Sequence, residues 1–136
     1  MKYQMGIPDE DFIRGGIPMT KREVRISVLA EANIKEDSKI LDVGAGTGSI
    51  SIEAALLAPK GKVWAIEKEA EGIDLIRQNS EKFGVENLIS IEGLAPDAMS
   101  QVSEELDAVI IGGTGGSLED ILDESASNKI VHVFGH

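Results

Sequence analysis

Asp42, Gly44, Gly46 and Gly48 alternate within Lys-Ile-Leu-Asp-Val-Gly-Ala-Gly-Thr-Gly-Ser-Ile-Ser-Ile-Glu, residues 39–53. Three residues without a Cβ let a backbone turn sharply and come within contact distance of a ligand. Ile40, Leu41 and Val43 read as a short buried strand with Asp42 at its carboxyl end, and a helical run opens directly behind the glycines. In open α/β sheets a nucleotide lies outside the carboxyl end of the first strand, against a helix amino terminus. Glu67 stands nineteen residues after Gly48, at the end of the next apolar run. An acidic side chain there can accept both ribose hydroxyls of an adenosine; taken alone, it reads equally as a strand-end surface carboxylate.

The acid-x-Gly-x-Gly-x-Gly spacing departs from the Gly-x-Gly-x-x-Gly of dinucleotide folds. It fits a loop, with Thr47 inside it, wrapped around S-adenosylmethionine, whose zwitterionic tail and adenosine call for close backbone and few phosphate donors. Glu67 fits an NAD site as well, so it supports a nucleoside without naming it. Two further turns carry candidate chemistry. Glu92-Gly93-Leu94-Ala95-Pro96 follows the third apolar run, where Leu94 and Ala95 can flank an adenine or form a plain turn into a short helix. Gly112-Gly113-Thr114-Gly115-Gly116 follows the fourth, and four glycines in five residues imply some close approach. Its amides and the Thr114 hydroxyl can hold a carboxylate or carbonyl where methyl donor and acceptor would meet; the alternative is a flexible turn.

Charge restricts the partners. The net charge is −11, and residues 1–35 hold six basic and five acidic side chains against seven and nineteen in the rest. A nucleic-acid groove needs clustered Lys and Arg, and the aromatic residues are too sparse for base stacking, so no nucleic-acid partner is expected. An anionic substrate would be received near the amino-terminal segment by Arg14, Lys21, Arg22 or Arg25, although Lys21, Arg22 and Arg25 also read as the solvated face of a helix. His132 and His136 make a poor metal site, and zero cysteines exclude thiolate ligands and suit a reducing cytoplasm, so no metal is expected. No apolar run resembles a signal peptide or a membrane span.

The elements that must position these residues alternate along the chain. Residues 6–18, with Gly6, Pro8, Gly15, Gly16 and Pro18, read as an ordered arm rather than a helix. Thr20 and Glu23 form a capping box opening a helix to about Ala32, with Val24, Val28, Leu29 and Ala32 as its apolar stripe. Strands are expected at 39–43, 62–66, 88–91, 106–111 and 129–134, with helices at 47–58, at 69–83 and after Ser117. The third helix places Ile73, Ile76, Ser80 and Phe83 on one face and stops at Gly84, whereas Gly72 inside it has no evident reason. The order β-α-β-α-β-α-β-α-β predicts an α/β fold, a doubly wound, mostly parallel sheet of Rossmann-like type, in one domain: an arm over 1–19 and a core over 20–136. A full sheet of this type usually has two further strands, so the chain looks short at its carboxyl end.

Gly6-Ile7-Pro8-Asp9-Glu10-Asp11-Phe12, Pro18-Met19-Thr20-Lys21-Arg22-Glu23-Val24-Arg25, the glycine loop, Glu81-Lys82-Phe83-Gly84-Val85-Glu86-Asn87 and the double diglycine together resemble the CbiT family of cobalamin-biosynthetic precorrin methyltransferases, from about residue 5 to residue 133. The glycine loop is shared by most methyltransferases of this class I fold; the arm and the double diglycine are more specific. The resemblance implies methyl transfer from S-adenosylmethionine to carbon 15 of precorrin-6B or cobalt-precorrin-6B, with decarboxylation of an acetate side chain, by a homotetramer. By position it assigns Thr20, Asp42, Gly44, Gly46, Thr47, Gly48, Glu67, Leu94, Ala95 and Gly112 to the cofactor. It assigns Lys21, Gly113 and Thr114 to the reacting centre, and Arg14, Arg25, Gly115 and Gly116 to the tetrapyrrole. Two other readings stay open: a non-catalytic S-adenosylmethionine-binding or assembly module, and an NAD-dependent oxidoreductase.

Overall fold

The structure, a computed structural model, describes residues 3–112, 118–124 and 129–132. Five short apolar runs form the strands β1 (Lys39–Val43), β2 (Lys62–Glu67), β3 (Leu88–Glu92), β4 (Ala108–Ile111) and β5 (Lys129–His132). They pair in the order β3-β2-β1-β4-β5, every pair parallel. Helices α1 (Arg22–Ala32), α2 (Ser49–Leu57), α3 (Ala70–Lys82) and α4 (Leu118–Glu124) connect or precede them. The doubly wound parallel sheet is therefore as expected. Its order reverses between β1 and β4, the crevice where such sheets bind ligands.

Period-two side chains divide the core into two layers. Ile40, Val63, Ala108 and Ile110 pack against Val28 and Leu29 of α1 and Ile50, Ala54 and Ala55 of α2. Leu41, Val43, Trp64, Ile66, Val109 and Ile111 face the other way, onto Ile121 of α4 and onto Ala98 and Met99 in a 3-10 turn at Asp97–Gln101. Trp64 is thus core, as its apolar context implied. No helix among the described residues is long and apolar enough to cross a membrane.

Three local expectations need correction. The Thr20–Glu23 capping box does not form: α1 begins at Arg22, Lys21 is its N-cap, and no side chain of its own caps it. Instead the Arg22 N–H reaches Asp9 Oδ2 at 3.4 Å, so a carboxylate from the arm serves the helix end. The inward stripe of α1 contains Arg25 beside Val28, Leu29 and Ala32, with Val24 only half-buried. The inward face of α3 is Gly72, Leu75, Ile76 and Asn79 rather than the Ile73–Ser80 face, because its polar and glycine positions meet the arm and the glycine loop. Its carboxyl end is as read: the Gly84 N–H donates to Glu81 O and the Val85 N–H to Ser80 O, a Schellman pair with Gly84 at φ +66.

Candidate functional site

The glycine loop folds as its composition demands. Gly44, Gly46 and Gly48 have φ of 74°, 60° and 84°, the left-handed region that side chains with a Cβ rarely adopt. The Gly44 and Ala45 N–H groups both donate to Ile66 O, at 2.9 and 3.0 Å, anchoring the loop to the end of β2. Gly48 is the N-cap of α2 and provides no side-chain cap, so the first N–H groups of that helix are left for another acceptor.

Glu67 closes the crevice from the second strand. Its carboxylate is buried, with Oε1 accepting the Gly46 N–H at 2.9 Å and Oε2 the Glu69 N–H at 2.9 Å. Its own carbonyl accepts the Gly93 N–H at 3.0 Å, which brings the turn of Leu94 and Ala95 alongside. Leu94 is 56% exposed while Ala95 is buried, an apolar platform on a fixed base. From the other side the Gly112 N–H donates to Val43 O at 2.8 Å, placing the exit of β4 next to that of β1. The sheet thus gathers Asp42, Gly44, Gly46, Thr47, Gly48, Glu67, Leu94, Ala95 and Gly112 at one edge.

The reason for Gly72 lies here. A Cβ at Gly72 would stand 2.6 Å from Glu67 Cγ and 3.0 Å from Gly46 O, so the helix can lie against the site only without one. The amino-terminal arm covers the opposite side: Pro18 O lies 3.2 Å, and Ile17 Cγ2 3.5 Å, from the point where a Cβ on Gly46 would be. Thr20 is buried, and Lys21 is exposed. Thr47 is buried too, and its hydroxyl has no hydrogen-bond partner among the described residues. A loop with no room for a Cβ at Gly46 and Gly48, an acidic acceptor beside it, an uncapped helix end and an orphaned hydroxyl fit a nucleoside with a charged tail.

Asp42 is buried next to this loop, and Ser51 Oγ donates to its Oδ2 at 2.6 Å. Burial pushes its carboxyl up to about 7; the Ser51 hydroxyl pulls it down, and the Glu67 charge adds to the rise. A carboxyl whose folded pKa exceeds its unfolded value stabilises the fold fully below the unfolded pKa, and that contribution drains away as pH rises through the folded one. Asp42→Asn removes the titration. Against the parent, this variant should therefore gain relative stability between about pH 4 and about pH 7 and run parallel above, read as urea midpoints across pH. Parallel profiles over the whole range would show that Asp42 is not held neutral.

Arg25 is not at this edge. Its guanidinium is 0% exposed, ion-paired with Glu53 and Asp9, donating to Ile7 O at 2.8 Å and stacked 4.7 Å over the Phe12 ring. It is neither a solvated cation nor free for a substrate carboxylate, which corrects both sequence readings. Arg22 stays exposed, with Nε donating to Gly6 O at 2.6 Å, and Arg14 is exposed on the arm. Gly113, Thr114, Gly115 and Gly116, together with Ser117, lie outside the described residues. Sequence reasoning missed Asn79, whose side chain holds the arm and the loop together; an amide on the apolar stripe of α3 was the available signal.

Residues 10–132 match the family described as precorrin methyltransferase domain. Among curated proteins, the chain is 50% identical over 119 residues to one from Sulfurisphaera tokodaii named probable cobalt-precorrin-6B C(15)-methyltransferase (decarboxylating); the match covers 86% of this chain and 62% of that protein. Among solved structures, it is similar to a precorrin-6y C5,15-methyltransferase from Geobacter metallireducens, with a TM-score of 0.87 and 35% identity over 94% of this chain and 70% of the other. It is also similar to a precorrin 8w decarboxylase from Methanobacterium thermoautotrophicum, with a TM-score of 0.84 and 30% identity over 93% and 70%. The chain thus spans about 62% of the length of the first curated relative.

Proposed function

This chain belongs to the precorrin methyltransferase domain family, and from that premise we propose that it methylates carbon 15 of precorrin-6B or cobalt-precorrin-6B with S-adenosylmethionine, with loss of an acetate carboxyl as carbon dioxide. The observation that carries the cofactor half is the buried Glu67 carboxylate bonded to the Gly46 N–H at 2.9 Å, an acidic acceptor already locked to the glycine loop. S-adenosylmethionine supplies an activated methyl group, so the chain's own contribution is alignment more than acid–base chemistry. Glu67 accepts the ribose hydroxyls, Leu94 covers the adenine, and the uncapped first N–H groups of α2 with the Thr47 hydroxyl take the charged tail.

The acceptor is a polycarboxylate that must approach an acidic protein. Arg14 and Lys21 are exposed on the arm side of the crevice and form no ion pair among the described residues, so they are the cations for its peripheral carboxylates. By the family resemblance, Lys21, Gly113 and Thr114 are assigned to the reacting centre, and Gly115 and Gly116 to tetrapyrrole binding. A cytoplasmic homotetramer completes the reading; it is supported by the family resemblance and the absence of cysteine, and sedimentation velocity tests the assembly.

The decisive experiment incubates the 136-residue protein with methyl-labelled S-adenosylmethionine and cobalt-precorrin-6B, or the metal-free precorrin-6B in parallel. Labelled tetrapyrrole and released carbon dioxide are expected. Cofactor binding without labelled product from either acceptor would leave a non-catalytic binding module in its place.

A further inference from the structure

We propose that Asn79 is a positioning residue for the cofactor: its side chain ties the amino-terminal arm to the glycine loop and so sets the height of the roof over Gly46. The inference rests on the reading of the loop as an S-adenosylmethionine site and assigns a role to a residue in neither motif.

Asn79 lies on the inward face of α3 and is 0% exposed. Its amide uses both donors and its carbonyl. Oδ1 accepts the Ile13 N–H at 2.8 Å, and Nδ2 donates to Ile13 O at 3.1 Å and to Thr47 O at 3.0 Å. One side chain therefore grips both main-chain groups of an arm residue and one carbonyl of the loop. A second tether follows three residues on, where the Gly16 N–H donates to Glu71 Oε2 at 3.0 Å. Between these anchors and α1 the arm passes over the loop, with Pro18 O and Ile17 Cγ2 against Gly46.

The same helix face meets the glycine loop, the acidic acceptor and the arm. Gly72 lies against Glu67 and Gly46, Ile76 lies against Gly48, and Asn79 holds Ile13 and Thr47. These positions fall on one helical stripe, so α3 carries arm, loop and acidic acceptor as one unit. Few other side chains suit position 79. Aspartate loses both donors and turns a buried carboxylate toward two carbonyl oxygens. Leucine keeps the volume but takes the Asn79 partner from three main-chain groups, two half-buried at Ile13 and one buried at Thr47.

The test compares the parent with Asn79→Asp and Asn79→Leu. S-adenosylhomocysteine affinity is measured by calorimetry at a temperature where all are folded, and tryptic cleavage after Arg14 is followed with and without that ligand. A control, Val131→Ala on β5, perturbs a core cluster that contains no residue of the crevice. Both Asn79 variants should bind about ten- to a hundredfold more weakly, and both should be cut faster after Arg14. The control should keep parental affinity, and ligand should protect Arg14 only in the parent and the control. Parental affinity in the folded Asn79 variants would reduce Asn79 to a purely structural residue and overturn the inference. A parent that fails to bind S-adenosylhomocysteine would overturn the cofactor reading itself, and this inference with it.

Discussion

Arg25→Ala is expected to lower unfolding stability by about 3–5 kcal/mol, the usual consequence of removing one partner from a buried ion pair. Arg25 and Glu53 are both fully buried and paired, and Glu53 also accepts the Gly6 N–H at 2.7 Å and the Tyr3 hydroxyl. Without Arg25, the buried Glu53 side chain loses the one cation paired with it among the described residues, and the arm loses its contacts at Ile7 and Asp9. Adding Glu53→Gln to an Arg25→Met variant should recover part of the loss, because no charge is then stranded. Urea denaturation of the parent, Arg25→Met, Glu53→Gln and the double variant closes the cycle. A loss under about 1 kcal/mol for Arg25→Ala, accompanied by a raised KM for the tetrapyrrole, would return Arg25 to the substrate side of the protein.

Gly72→Ala is the second large effect, and its sign runs against helix propensity. In an exposed helix interior the change would gain about 1 kcal/mol. Here the new Cβ would sit 2.6 Å from Glu67 Cγ and 3.0 Å from Gly46 O, so either the acidic acceptor or the loop must move. The expected outcome is a stability loss of about 1–3 kcal/mol. S-adenosylhomocysteine affinity should fall by about a hundredfold, close to the loss for Glu67→Gln, since misplacing the acceptor and neutralising it both forfeit charge-assisted bonds to the ribose. Calorimetric titration of both variants checks this. An alanine variant that is more stable and binds as the parent does would mean that α3 can slide outward without disturbing the site.

Tyr3 belongs to the same buried set as Arg25. Burial, with the Glu53 hydrogen bond and charge, pushes its phenol far above the usual range, while Arg25 opposes that rise. The phenol thus keeps its proton and donates it to Glu53. The arm is consequently docked by one ionic cluster near its start and by Asn79 near its middle.

The correspondence between sequence and site follows from the range of the forces involved. The succession of strands and helices along the chain, the glycine loop and the position of Glu67 were readable because each is local: strands announce themselves by short apolar runs, and a left-handed backbone by glycine. Gly84 was readable for the same reason. The failures share the opposite property. The Thr20–Glu23 box has the right spacing, yet Asp9, thirteen residues before Arg22, takes the helix end. Arg25 looked like a solvated cation because its partners lie in Asp9 and in Glu53, twenty-eight residues away.

By itself, then, the chain's sequence determined an α/β parallel sheet, the acid–glycine crevice at its switch point, and a family whose named members act on precorrins. Those features depend on main-chain conformations that a few neighbouring residue types can impose. Only the tertiary structure decided that α3 turns Gly72 and Asn79 inward and that Arg25 is a buried strut rather than a substrate ligand. It also decided that the arm is the roof of the crevice. Contacts between residues apart in the chain fix these assignments, twenty-eight residues from Arg25 to Glu53 and sixty-six from Ile13 to Asn79, and a periodicity of 3.6 cannot say which of two adjacent helix faces meets them.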